Sequence, residues 1–153
     1  NFAAIYMTGV TFKDNFAYVN GGAIFNGTGG TINLSGINVF SGNVAKGLSN
    51  DIHNMGTLNI TGGKTTFGGG VTGNGAFTLA SGELDIGTVA IKQGTSHLNG
   101  TVAIGIGLHN GHHRYADLFP NGLKIGGDDI QINCNMGIIK IHRLQIQKKL
   151  RLL

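Results

Sequence analysis

Residues 12–26 read FKDNFAYVNGGAIFN. The stretch carries two signatures, Phe-x-x-Asn at Phe12–Asn15 and Gly-Gly-Ala-Ile at Gly21–Ile24. Both recur with drift. Phe12-Lys-Asp-Asn15 returns as Phe40-Ser-Gly-Asn43 and decays to Phe67-Gly-Gly-Gly70. Gly21-Gly-Ala-Ile-Phe-Asn26 aligns with Ser49-Asn-Asp-Ile-His-Asn54 at a spacing of 28. A third marker, Thr31-Ile-Asn-Leu34, is followed at steps of 26 by Thr57-Leu-Asn-Ile60 and Glu83-Leu-Asp-Ile86. A fixed period of this size is the mark of a repeat architecture, in which one unit cannot bury its apolar face alone.

Inside each repeat the apolar spacing is two. Ile32 and Leu34, Leu58 and Ile60, Leu84 and Ile86 each alternate with polar residues. Period two means a strand with one face buried and one wet. Gly and Asn stand at the corners, where a positive φ costs them least. No two-residue hairpin turn organises the repeats, so equivalent strands are expected to stack in parallel, once per coil. The spacing predicts Ile24 on Ile52, Leu34 on Ile60 on Ile86, and Phe12 on Phe40 on Phe67. Asn26 and Asn54 share the face of Ile24 and Ile52. Two readings of them stand: an inward asparagine ladder, or two residues chosen only for their tolerance of corners.

The expected fold is all-β, a parallel β-helix of about 26–28 residues per coil, with an irregular C-terminal end. Residues 1–104 are expected to form the coils. Past Gly87 the pattern shortens, since Gly87-Thr-Val-Ala-Ile91 recurs as Gly100-Thr-Val-Ala-Ile104. Residues 105–137 read as an irregular end of the solenoid. Within it GIGLHNGHHRYADLFPNG at 105–122 holds the sole Pro, and Leu123–Asn133 looks strand-like. Residues 138–153 form a basic tail whose periodicity does not separate helix from strand, and a frayed terminus is the plain reading of it.

Composition agrees with many strands and many corners: 28 Gly, one Pro and 12% charged residues among 153. Glycine lacks the period of three that collagen needs, and 41% hydrophobic content is too high for a disordered linker. The net charge of +4 is concentrated at one end. Lys140, Arg143, Lys148, Lys149 and Arg151 supply five positive charges, while residues 1–137 carry six basic against seven acidic residues. A nucleic-acid footprint would spread over a folded face, so no nucleic-acid partner is expected. The single Cys134 allows no internal disulfide and does not fix the redox compartment. No run of about 18 apolar residues marks a transmembrane helix. The chain opens NFAAIY without Met, which reads as the middle of a longer protein.

Phe-x-x-Asn alternating with Gly-Gly-Ala-Ile resembles the paired repeat motif of the polymorphic outer membrane proteins, autotransporter-type surface proteins. FKDN, GGAI and FSGN match it over about residues 10–62. The resemblance implies a right-handed parallel β-helix, a passenger on a bacterial cell surface or released from it, and often an adhesive role. It also implies host-cell or matrix surface molecules as partners. Membrane contact would run only through a C-terminal β-barrel, which this sequence does not include, so a fragment or truncated member is expected.

Nothing in the sequence has the form of a catalytic centre, and no enzyme activity, catalytic residue, metal site or cofactor is expected. The richest ligand cluster is His109, His112 and His113, with Asp117 and His97 near in sequence. It lies in a Gly/Asn loop without the regular spacing of a metal site, and an exposed loop is the plainer reading. Parallel β-helices also host pectate-lyase-like enzymes, which need carboxylates gathered on one face. Glu83 and Asp85 share a strand face but read as a solvated edge. Asp128 and Asp129 would point to opposite faces of a strand. Asn26, Asn33, Asn59 and Asn99 head Asn-x-Ser/Thr sequons, which chance supplies in a chain this rich in Asn and Thr. The remaining alternative is an inert spacer.

Overall fold

The computed structural model describes residues 3–87, 89–104, 124–125, 129–134 and 137–142. Among them there is no helix, and the strands wind in successive rungs. The first rung holds β1 (Ala4–Thr8), β2 (Thr11–Lys13), β3 (Phe16–Ala17) and β4 (Ile24–Asn26). The second holds β5 (Thr31–Ser35), β6 (Ile37–Ser41), β7 (Val44–Ala45), β8 (Leu48–Ser49) and β9 (Ile52–Asn54). The third holds β10 (Thr57–Ile60), β11 (Lys64–Phe67) and β12 (Val71–Thr72). The fourth and fifth hold β13 (Ala76–Leu79), β14 (Glu83–Gly87), β15 (Thr95–Leu98) and β16 (Thr101–Ile104). Then come β17 (Lys124–Ile125), β18 (Asp129–Cys134) and β19 (Gly137–His142).

Equivalent strands stack into a solenoid-like arrangement of sheets. The first sheet runs β1-β5-β10-β13-β15-β17 and the second β2-β6-β11-β14-β16-β18-β19. A third, β4-β9-β12, is extended by a bridge from Val71 to Ile91. All named pairings are parallel except β7 with β8 and β18 with β19. This follows from the alternation: each strand buries one row, and stacking the next rung in register covers that row on both sides.

The core sits between the sheets. Ile32, Leu58 and Phe77 form one buried row, and Leu34, Ile60, Leu79 and Leu98 the next. Ile52, Val71 and Ile91 close the third side. From the second sheet Phe40 stacks on Phe12 at 5.2 Å between ring centroids and meets Phe67 at 5.0 Å. Such ring pairs add about 0.5–1.5 kcal/mol each beyond their buried area. The stacks of Ile24 on Ile52 and of the three Phe rings therefore agree with the sequence reading.

The third marker does not. Leu34 lies on Ile60, but the next residues in that row are Leu79 and Leu98, not Ile86. Glu83–Gly87 belongs to the second sheet, where Lys64, Thr65 and Thr66 face Glu83, Leu84 and Asp85. The reason is a change of rung length. Ala4, Thr31, Thr57, Ala76 and Thr95 are stacked, so successive rungs take 27, 26, 19 and 19 residues. The shorter rung begins at Thr57, well before Gly87. Likewise Thr101–Ile104 pairs with β14, while Ile91 bridges to Val71, so the two Gly-Thr-Val-Ala-Ile segments are not equivalent.

Of the strand-like stretch Leu123–Asn133, residues 124–125 lie in β17 and 129–133 in β18. The first residues of the basic tail pair in β19 with β18, Ile138 facing Asn133 and Ile141 facing Ile130. Residues 143–153 lie outside the described residues.

Candidate functional site

Corners decide which polar side chains turn inward. Gly21 has a φ of +64°, and a Cβ on Gly22 would come within 2.5 Å of the Val44 nitrogen and 2.6 Å of the Asn50 oxygen. The Gly-Gly pair thus lets the first rung nest against the 42–51 loop. Ile24 and Asn26 then face the interior.

The ladder reading of Asn26 and Asn54 holds. Asn26 Nδ2 donates to Asn54 Oδ1 at 2.7 Å, and Asn54 Nδ2 donates onward to Gln93 Oε1 at 2.6 Å. Gln93 Nε2 ends the chain on the Thr72 and Lys92 carbonyls at 2.8 and 2.9 Å. Each buried amide thereby finds partners, as burial demands. The Asn of Phe-x-x-Asn forms a second column. Asn43 Oδ1 accepts from Asn15 Nδ2 at 2.8 Å and from the Asn15 backbone N–H at 3.1 Å. Asn43 Nδ2 in turn donates to Asp51 Oδ1 at 2.8 Å.

Asp51 is fully buried, and sequence reading passed over it. Its Oδ2 accepts from the Gly69 N–H at 2.6 Å. Burial pushes its carboxyl above the ordinary value, against the opposing pull of Asn43 and the Gly68–Gly70 backbone. These inward networks tie successive rungs to one another.

Outward faces are where a partner could be met. On the first sheet Asn33, Asn59, Thr78 and His97 form one column, with Thr31, Thr57, Ala76 and Thr95 beside it. Asn59 Nδ2 donates to Asn33 Oδ1 at 3.0 Å, and the Thr8 and Ser35 hydroxyls bond at 2.8 Å. Aromatic residues are exposed on the first rung, Tyr18 by 86% and Tyr6 by 79%, with Phe16 and Phe25 also open. Phe16 meets Tyr18 edge-on at 5.0 Å, and Phe25 stacks on His53 at 5.5 Å. His53 Nδ1 bonds the Thr72 hydroxyl at 2.9 Å, and burial lowers its pKa from the ordinary value. The imidazole is held flat against the Phe25 ring.

Glu83 and Asp85 do share a half-buried outward face. Lys64 on the neighbouring rung bonds Glu83 at 2.8 Å and Asp85 at 3.5 Å. The hydrogen bond to Glu83 is the main cause of a raised Lys64 pKa. The carboxylate pair is bridged by one ammonium into a cross-strand ion cluster, Lys64 Nζ reaching Glu83 Oε1 and Asp85 Oδ2. His97 stands exposed in its column, paired in register with Thr78. His109, His112, His113, Asp117 and Asp128 lie outside the described residues, and Asp129 opens β18.

Among the sequons Asn26 is locked inside, Asn33 and Asn59 pair with each other, and Asn99 is exposed. Among the described residues no three His, Cys, Asp or Glu side chains gather as a metal site. No helix there is long and apolar enough to cross a membrane. Comparison of the chain with family models, with curated proteins and with solved structures found no match.

Proposed function

We propose that this chain is a right-handed parallel β-helix from a surface-exposed passenger of the polymorphic outer membrane protein type, and that it works by binding rather than by catalysis. The observation carrying this reading is motif-on-motif stacking. Phe12 and Asn15 of FKDN lie on Phe40 and Asn43 of FSGN, ring to ring and amide to amide. Ile24 of GGAI lies on Ile52, and Asn26 on Asn54. A tetrapeptide pair that repeats by chance in sequence has no reason to coincide in space.

The binding role rests on the outward faces. Columns of Thr and Asn spaced one rung apart, roughly 4.8 Å, suit weak contacts repeated along a host-cell or matrix molecule. The open aromatic rings Tyr6, Phe16, Tyr18 and Phe25 supply apolar anchorage of the kind that dominates recognition. The location that goes with this reading is a bacterial outer surface or the medium around it.

The test is saturable binding of the folded chain to host cells or extracellular matrix. Binding weakened by Tyr18→Ala and Phe25→Ala supports the proposal. Folded protein that binds neither would favour a spacer. Release of product from acidic polysaccharide, abolished by Glu83→Gln with Asp85→Asn, would favour a carbohydrate-active enzyme.

A further inference from the structure

Six Asn-Gly dipeptides occur in the chain, at Asn20, Asn26, Asn74, Asn99, Asn110 and Asn121. They share the residue type most permissive for attack of a backbone nitrogen on the preceding side-chain amide. The fold treats the four described ones differently. At Asn20 the Gly21 N–H is committed to Asn50 Oδ1 at 2.9 Å. At Asn74 the Gly75 N–H is committed to the Asn54 carbonyl at 3.0 Å, and Gly75 is buried. At Asn26 the side-chain amide itself is held, 7% exposed, by the Gly30, Asn54 and Thr57 oxygens. At Asn99 the side chain is exposed and makes one long hydrogen bond, Nδ2 to the Ala80 carbonyl at 3.3 Å. Among the described residues the Gly100 N–H has no acceptor, since the neighbouring ladder bonds come from Asn99 and Thr101.

We propose that Asn99–Gly100 is a site of spontaneous deamidation in the folded protein, while the fold protects Asn20, Asn26 and Asn74. The deprotonated Gly100 nitrogen attacks Asn99 Cγ. A Cγ–N bond forms, the Cγ–Nδ2 bond breaks, and ammonia leaves with the proton, giving a five-membered succinimide. Water then opens either carbonyl, yielding aspartate or isoaspartate; no oxidant or cofactor is needed. The product places a new negative charge at the two-residue corner between β15 and β16. In its isoaspartate form it also inserts a backbone methylene there. That methylene lies between two ladder bonds, Asn99 N–H to Leu79 at 2.7 Å and Thr101 N–H to Gly82 at 2.9 Å, so the corner loosens as the protein ages.

The test is incubation of the full folded chain in mildly alkaline buffer, followed by peptide mapping with an isoaspartate readout. Asn99 should convert at least about tenfold faster than Asn20, Asn26 or Asn74, the factor expected from one hydrogen bond that must first break. In denaturant the four rates should converge, and Asn99→Gln should abolish the signal at that corner. Equal rates in the folded protein would overturn the proposal. So would a rate advantage for Asn99 that survives denaturation, because local sequence rather than the fold would then set it.

Discussion

The backbone N–H of Gly69 donates to Oδ2 of Asp51 at 2.6 Å, and this bond lies at the step where the rung shortens. In the second rung the 42–51 loop carries the small hairpin of β7 and β8; in the third rung Gly68–Gly70 takes its place. Asp51 reaches across the resulting gap with Asn43 on its other oxygen. A carboxylate can accept from both sides at once, which a hydroxyl or an aliphatic group cannot do over the same span.

Asp51→Ala should therefore lower stability by about 1–3 kcal/mol, the cost of leaving buried donors unpaired, as read from chemical denaturation. The pH dependence has a defined sign. Its folded pKa lies above the ordinary 3.8, so the folded state holds the proton more tightly than the unfolded chain. The contribution is greatest below 3.8 and declines as pH rises through the raised folded value. Asp51→Asn should flatten that slope; an unchanged slope would assign it to other groups.

Neighbouring substitutions on β10 should differ sharply. Leu58 is fully buried between Ile32 and Phe77, and Leu58→Asp should cost more than about 3 kcal/mol by placing a lone charge among apolar side chains. Asn59 faces outward, so Asn59→Asp should cost less than about 1 kcal/mol through its bond to Asn33. Equal melting temperatures for the two would mean that the faces are exchanged.

Asn54 and Gln93 should be energetically coupled. Asn54→Ala removes an acceptor for Asn26 and a donor to Gln93, leaving both neighbours short of partners. A double-mutant cycle with Gln93→Ala should return an interaction energy above about 0.5 kcal/mol. Strict additivity would show that the ladder is assembled from independent bonds.

The Lys64 cluster should matter little. Lys64, Glu83 and Asp85 are partly exposed, so Lys64→Met should change stability by about 1 kcal/mol or less, and high salt should erase the difference.

The first half of the architecture was legible because three chemically unlike markers recurred at nearly one period: rings at Phe12 and Phe40 and amides at Asn26 and Asn54 at 28 residues, and the alternation at Leu34 and Ile60 at 26. Glu83–Ile86 misled because alternation reports that one face is buried without saying which sheet the strand joins. The true continuation, Ala76–Leu79 and Thr95–Leu98, keeps the inward leucine of the Leu34–Ile60 row at Leu79 and Leu98 but replaces the inward aliphatic of the Ile32–Leu58 row by Phe77 and Ser96, and the outward Asn by Thr78 and His97. Only the closing Leu, and in Thr95–Leu98 the opening Thr, is shared with TINL, at steps of 19 that a 26-residue search passes over. Gln93 escaped notice for a related reason: Ile52, Val71 and Ile91 stack on successive rungs, so Gln93 lies two rungs beyond Asn54 and its longer amide reaches across the rung between. Asp51 was hidden among charges that usually face water.

Unequal rungs also bear on how the solenoid would yield under load. Strands lie across its long direction, so traction between the two ends opens one row of backbone bonds at a time instead of shearing many together. Each rupture frees one rung of slack. A rung of 27 residues releases about 90 Å of extended chain and one of 19 about 65 Å. Force–extension traces of the single molecule should therefore climb in two step sizes, long at the Phe-x-x-Asn end and short beyond Thr57.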